Sequence, residues 1–193
     1  AAGQNEGVVP YTDKNDEIGA LAQGLARVVD LQGELAYLAY TDELTGLGNR
    51  SRYLVDLSQV TAEGIEGKGK WALAHIDVDK FKDTNDVYGQ AAGDDLLKLV
   101  GEAIREAVGE KAKLARLAGD NFTLFLPYSG RTEDIIRSLD RLIVRLAEPF
   151  HLKQGEVQGS ASVGVIILPK DAKSADEAHR NANIALRRAK DDG

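Results

Sequence analysis

From Ile18 onward, positions seven apart form two interleaved series: Ile18, Leu25, Gln32 and Ala39, and Leu21, Val28 and Leu35. The series are offset by three and then four, so the spacing predicts a helix with a heptad seam. Asn15 or Asp16 stands where an N-cap belongs, and Asp16 and Glu17 place negative charge where the helix dipole favours it. Gln32 in the seam would fix register at some cost in stability, and Gly24 and Gly33 weaken the helix. Two arrangements satisfy such a seam: a parallel coiled coil with a second copy, or one amphipathic helix packed on its own domain. Residues 1–15 are polar and glycine-bearing, contain Pro10, and read as a leader or linker.

After this stretch the period changes repeatedly. Helices are predicted over 53–64, 93–109, 132–150 (ending at Pro149) and 174–190. The second carries Leu96, Leu97, Val100, Ala103, Ile104 and Ala107 on one side. The third carries Ile135, Ile136, Leu139, Leu142, Ile143 and Leu146. Ser174 and Glu177 form a capping box at the start of the last. Strands are predicted over 71–79, an apolar run ending in acids, and over 160–169. Between them KLARLA and NFTLFLP flank a turn and read as a hairpin. The order strand, helix, hairpin, helix, strand, helix is that of an α/β (α+β) ferredoxin-like fold, a mostly antiparallel sheet flanked by helices. Such a sheet sets the end of the first strand, Asp77, beside the turn Ala118-Gly119-Asp120-Asn121.

Composition narrows the chemistry. The 193 residues fit one domain plus an appendage. An apolar share of 43% supports a core, and 28% charged residues argues against disorder. The net charge of −7 disfavours nonspecific binding to nucleic acid or anionic membrane, while leaving room for a local anion site. With no cysteine, disulfides, thiol nucleophiles and Cys-type zinc sites are excluded, and His75, His151 and His179 show no ligand spacing. No apolar run approaches the ~20 residues that span a bilayer, and no signal peptide is visible. A chain that starts with Ala and holds no Met reads as a piece of a longer protein.

The candidate chemistry gathers around Asp77. Two carboxylates converging from separate elements, Asp77 and Asp120, repel unless a cation lies between them, and magnesium takes one or two carboxylates plus substrate phosphates. The alternative is two solvated acids. The segment DVDKFKDTNDVYG is not a calcium loop, because the EF-hand positions for a fifth-place ligand, a sixth-place Gly and a closing Glu hold Phe81, Lys82 and Tyr88. Lys80, Phe81 and Lys82 directly follow a strand, where backbone N–H groups and Lys82 can cradle phosphate. Asn85 and Asp94 offer an amide and a carboxylate that match a guanine edge; alternatively Asn85 shapes a turn and Asp94 caps a helix. Gly119 would let backbone approach a phosphate or merely turn a hairpin. Lys190 ends the last helix, as a dipole partner or a phosphate contact.

Taken together, DELTGLGNRSRY (42–53), HIDVDKFKDTNDVYGQAAGDDLL, RLAGDNFTLF, SASVGVIILP and ANIALRRAKDDG resemble, in order, the motifs of the GGDEF family of diguanylate cyclase domains. The resemblance covers residues 41–193. The heptad stretch over 16–40 resembles the final helix of a HAMP relay module, a coiled-coil signalling helix following a membrane receptor. The resemblance implies a nucleotidyl-cyclase fold whose active members join two GTP into cyclic di-GMP. It implies that Asp77, the Val78 carbonyl and Asp120 hold Mg2+ (or Mn2+), that Lys80, Phe81, Lys82 and Lys190 meet phosphates, with Gly119 beside them, and that Asn85 and Asp94 read guanine. It further implies a homodimer through the N-terminal helix, a downstream EAL-type phosphodiesterase, no nucleic-acid partner and no membrane insertion by this stretch itself. The location implied is the cytoplasmic portion of a bacterial inner-membrane signalling protein.

The signature is altered. GG-[D/E]-E-F has become Ala118-Gly119-Asp120-Asn121-Phe122. Ala118 would cost on the order of 1 kcal/mol if its backbone needed a positive φ. Asn121 matters more, because an amide is a poor magnesium ligand and accepts no proton; losing one such interaction typically costs ~10²–10³ in rate. Three readings are set against each other: a degenerate regulatory module that binds GTP with little or no turnover, a working cyclase, and a dimerisation or relay domain that binds no nucleotide. The family's upstream Arg-x-x-Asp pair for product inhibition is replaced by Gly109-Glu110-Lys111-Ala112.

Overall fold

A computed structural model describes Pro10, Thr12 and residues 16–192. The candidate cap Asn15, most of the leader over 1–15 and Gly193 lie outside the described residues. Asp16 is the cap: its backbone is extended and its carboxylate accepts the Gly19 N–H at 2.9 Å, opening α1 (Glu17–Tyr40). Among the described residues, the heptad stripe joins neither of the domain's hydrophobic cores. Leu21 is 77% and Leu35 65% exposed, and Ile18, Leu25 and Val28 are exposed beside them. Among the described residues, the stripe is therefore open along most of its length.

After the segment 41–48, Asn49 accepts the Ser51 and Arg52 N–H groups with its side chain and caps α2 (Arg50–Ile65). This cap moves the helix start ahead of the predicted Tyr53. Next come β1 (Trp71–Val78), α3 (Phe81–Tyr88), α4 (Gln90–Val108), β2 (Lys113–Ala118), β3 (Asn121–Pro127) and α5 (Thr132–Leu146). The chain finishes with β4 (Phe150–Leu152), β5 (Gly155–Val157), β6 (Ala161–Leu168) and α6 (Ala175–Asp192). The helix α3 and the small β4–β5 hairpin are elements beyond those that the sequence pattern predicts. The helix α5 stops at Leu146, before Pro149. At α6, Ser174 Oγ accepts the Glu177 N–H as the capping box requires, while Glu177 reaches back to the Lys173 N–H.

The main sheet has the order β2-β3-β1-β6, antiparallel throughout, which is the expected ferredoxin-like arrangement. Alternation along β1 divides it between two cores. Ala72, Ala74, Ile76 and Val78, with Phe122, Leu124 and Leu126 of β3, pack against α4 and α5. Leu73, Phe125, Ile166 and Leu168 face Tyr53, Leu57 and Val60 of α2 and Ala178 and Ala182 of α6. His75 and Asp77 lie on this second face, directly opposite Thr123 and Asn121 of β3. The helix α6 approaches the sheet so closely that a Cβ on Gly164 would run into the backbone of Leu186.

Candidate functional site

The β1–β3 register builds the centre of the site. Asp77 pairs across the sheet with Asn121, so both side chains project from the same face, and the Val78 N–H donates to the Asp120 carbonyl at 3.2 Å. Asp77 is buried. Burial pushes its carboxyl above the usual carboxylate range; a hydrogen bond from Lys190 works against this, and the Asp120 and Asp79 charges add to it. Lys190, in the last turn of α6, places its Nζ 2.5 Å from Asp77 Oδ1. Asn121 Nδ2 donates to Asp120 Oδ1 at 3.0 Å. That contact has a chemical consequence. A carboxylate at position 121 would add charge between Asp77 and Asp120, whereas the amide supplies none and occupies an acceptor site on Asp120.

The turn itself is unstrained at its altered position. Among the described non-glycine residues only Lys80 has a positive φ, so the strain that Ala118 would suffer in a left-handed conformation does not arise. Ala118 closes β2 opposite Asn121, after a bulge that follows Arg116. Gly119 takes the left-handed conformation, φ +56°, and its carbonyl accepts from Arg116 Nε at 2.8 Å.

A second group lies just beyond the end of β1. Lys80 is left-handed and exposed, and it begins α3, so Phe81 and Lys82 form the first turn of a helix rather than a loop. Phe81 is half-buried and packs on the α4 core, while Lys82 is exposed. Asn85 sits on α3 rather than in a turn. Asp94 lies within α4 and does not cap it; Gly89 holds the cap position. Gly93 allows α3 and α4 to meet, because a Cβ there would strike Asn85 Oδ1. That oxygen is buried and has no hydrogen-bond partner among the described residues. A buried unsatisfied acceptor is uncommon, and it falls on one of the two residues expected to read guanine.

Several contacts escaped the sequence reading. Asp42 accepts from Thr45 N and Oγ1 and forms a two-pronged pair with Arg116 at 3.0 and 3.1 Å, and Arg116 in turn holds the Gly119 carbonyl. Burial alone would raise the Asp42 carboxyl; the Thr45 and Arg116 contacts outweigh it and hold the group below its ordinary value. The DELTGLGN segment thus fixes the hairpin turn from behind. Asp79 is engaged by Ser160 Oγ at 2.6 Å and Ser162 Oγ at 2.8 Å, which ties the end of β1 to β6. On the buried face, Tyr53, His75, His179 and Asn183 make a polar cluster.

Among the described residues no three carboxylate or imidazole groups converge as a self-sufficient metal cage. The protein offers Asp77 and Asp120, with the Val78 carbonyl between them in sequence. Two carboxylates suit a magnesium ion that keeps water and takes phosphate oxygens. The Asp77 carboxyl is raised first by burial and further by the Asp120 and Asp79 charges, against Lys190, and a cation bound there would favour its ionised form. No described helix is long and apolar enough to cross a membrane.

Comparison with known proteins places these residues in context. The family model described as diguanylate cyclase, GGDEF domain, matches residues 39–193. The bifunctional diguanylate cyclase/cyclic di-GMP phosphodiesterase MucR of Pseudomonas aeruginosa is 36% identical over 173 residues, which is 90% of this chain and 25% of MucR. The solved GGDEF domain of TpbB (YfiN) from Pseudomonas aeruginosa superposes with a TM-score of 0.75 at 31% identity, covering 80% of this chain and 90% of that one. The coiled coil and GGDEF domain of DgcB from Caulobacter crescentus, solved in complex with c-di-GMP, gives 0.78 at 26% identity, covering 91% and 94%. The chain spans a quarter of MucR and 43% of full-length TpbB.

Proposed function

The chain belongs to the GGDEF family of diguanylate cyclase domains, and from that premise we propose that it is a cyclic di-GMP signalling module that binds GTP with magnesium or manganese and turns it over weakly or not at all. The observation that carries this reading is Asn121. It lies opposite Asp77 and donates its amide to Asp120, where the family signature has a glutamate. The amide accepts no proton from an attacking hydroxyl and stabilises no developing charge, a loss of ~10²–10³ in rate on general grounds.

The other parts of a nucleotide site are present. Asp77, Asp120 and the Val78 carbonyl would hold the metal, which when bound would lower the pKa of the 3′-hydroxyl and offset charge on the α-phosphate. Lys190, already close to Asp77, and Lys80, Phe81 and Lys82 at the start of α3 would meet phosphates beside Gly119. Asn85 and Asp94 would take the guanine edge, and the unpartnered Asn85 oxygen supports that assignment. The exposed heptad stripe of α1 supports dimerisation through this helix in a parallel coiled coil. Residues 16–40 would then be a HAMP-like signalling helix that reports to the domain at 41–193 from a membrane-linked receptor. Downstream, an EAL-type phosphodiesterase is the partner this reading expects, by likeness to bifunctional MucR.

Calorimetry with GTP and magnesium tests binding. Heat and a thermal shift are expected; absence of both would leave a relay domain that reads no nucleotide. Incubating the concentrated chain with GTP and assaying cyclic di-GMP tests turnover. Brisk product formation that disappears in Asp77→Ala would show a working cyclase and would overturn the role given to Asn121.

A further inference from the structure

Four polar side chains from three elements close a ring behind the site. Tyr53 of α2 meets His75 Nε2 at 3.2 Å and His179 Nδ1 at 2.7 Å; His75 Nδ1 meets Asn183 Oδ1 at 3.0 Å; Asn183 Nδ2 meets His179 Nε2 at 3.1 Å. With the amide in this orientation the protons follow one course. Asn183 donates to His179, His179 Nδ1–H to the Tyr53 oxygen, the Tyr53 hydroxyl to His75 Nε2, and His75 Nδ1–H to Asn183 Oδ1. Turning the amide over reverses the sense of the ring without opening it. Each of the four contacts has one donor and one acceptor, provided both imidazoles are neutral.

The ring sits beside the Asp77–Lys190 pair. His75 and Asp77 are two apart on β1, on one face and roughly 6.6 Å apart along the strand. Asn183 and Lys190 are seven apart on α6, on one side and roughly 10.5 Å apart along the axis. A lysine side chain spans the difference. The His75–Asn183 and Asp77–Lys190 contacts are therefore two rungs between the same strand and the same helix. Along this contact α6 rests on small groups: Gly164, which pairs with His75 across β1–β6, lies against the Leu186 backbone, and Ala178 and Ala182 pack on the second core in the turns that lead up to Asn183. A smooth surface of this kind resists sliding poorly. A slip of one residue moves a helix 1.5 Å and turns it 100°, which would take Lys190 away from Asp77.

We propose that Tyr53, His75, His179 and Asn183 are positioning residues, whose closed ring sets the register of α6 on β1 and so holds Lys190 over Asp77, ready to receive the phosphates of the nucleotide. The phosphate half of this statement rests on the GTP-binding function proposed above; the register half does not.

The test uses Tyr53→Phe, which removes one hydroxyl and keeps the aromatic ring stacked on Phe125, with Asn183→Ala as a second variant that opens the ring from an exposed position. Two readouts are followed in the 193-residue chain. The first is the ¹H–¹⁵N signal of the Lys190 ammonium, assigned by its absence in Lys190→Met; it is expected in the parent and lost in both ring variants. The second is GTP affinity in magnesium, expected to fall about 5–10-fold in Tyr53→Phe and not to fall further when Lys190→Met is already present. A ring that serves stability alone would lower the melting temperature while leaving the ammonium signal and the affinity unchanged, and that result overturns the proposal, as does full additivity of the two affinity losses. If the parent binds no GTP, the GTP-binding reading fails separately, and the ammonium signal decides: loss in the ring variants supports the register role, and persistence overturns it.

Discussion

His75 gives the domain a calculable response to acid. Its ring is 2% exposed. Burial pulls its pKa from 6.5 down to about 4, against a hydrogen bond to Asn183 that favours the charged form and with a small further push from His179. His179 is lowered in the same direction by burial and by the Arg50 charge. For a group whose folded pKa lies below its unfolded value, the unfolded chain binds more protons in the interval between them. Stability is then fully present above pH 6.5 and is lost as pH falls toward 4. Taking 6.5 and about 4 for the two states, the loss at pH 5 is on the order of 2 kcal/mol from His75 alone. Heating scans of the chain should show the melting temperature falling by roughly 4–8 °C between pH 7.5 and pH 5. This window lies above the ordinary range of the carboxylates. Asp42, which is lowered, acts below the window, while Asp77, which is raised, acts above the ordinary carboxylate range and with the opposite sign, gaining stability as pH falls. In His75→Gln the fall across pH 7.5–5 should shrink to the residue left by His179. A flat profile in the parent, or an equal slope in His75→Gln, would refute the assignment.

Three further outcomes are expected. Asn121→Glu should raise cyclic di-GMP production by about 100-fold on the scale of one transition-state contact, and it should lower the melting temperature without metal, because a third carboxylate joins Asp77 and Asp120; magnesium with GTP should restore it. Leu21→Asp with Leu35→Asp should convert a dimer to monomer in light scattering, with little change in the stability of the domain, since both leucines are exposed. Gly164→Ala should cost the domain at least about 2 kcal/mol in urea unfolding, because the added carbon meets the Leu186 backbone, which cannot step aside as a flexible side chain would.

Much of the fold was legible because its signals are local. The helices α4, α5 and α6 carry an apolar stripe at helical spacing, the last also has its cap at Ser174, and the hairpin announces itself as two apolar runs around Gly119. The helix α3 was not legible. Its stretch FKDTNDVY is polar and short, buries only Thr84 completely, and begins at a left-handed lysine rather than a capping side chain. What holds it is tertiary: Phe81 on the α4 core and the close approach of Asn85 to Gly93. The polar ring was invisible for the same reason, since its contacts from β1 and α2 to α6 join residues 108 and 126 positions apart. No spacing rule connects such residues, and the three histidines read as unrelated.

The same distinction bears on how a signature can change while its site persists. Three of the pieces assigned to nucleotide are tied into the fold by long-range packing: Asp77 is buried in β1, Lys190 is carried on a helix pressed against β6, and Asn85 lies in the α3–α4 junction. Losing Lys190 leaves the buried Asp77 carboxylate without its partner, and enlarging Asn85 would press on Gly93 across the helix junction. Ala118 and Asn121 stand at the rim instead. Ala118 is exposed and has an ordinary backbone conformation, and Asn121 is half-buried and satisfies itself on its neighbour Asp120. Stability therefore presses hard on Asp77 and Lys190, which would grip a ligand, and lightly on the residue that would activate it. On the function proposed here, that asymmetry is the physical reason a domain of this kind can stop performing chemistry and still hold GTP.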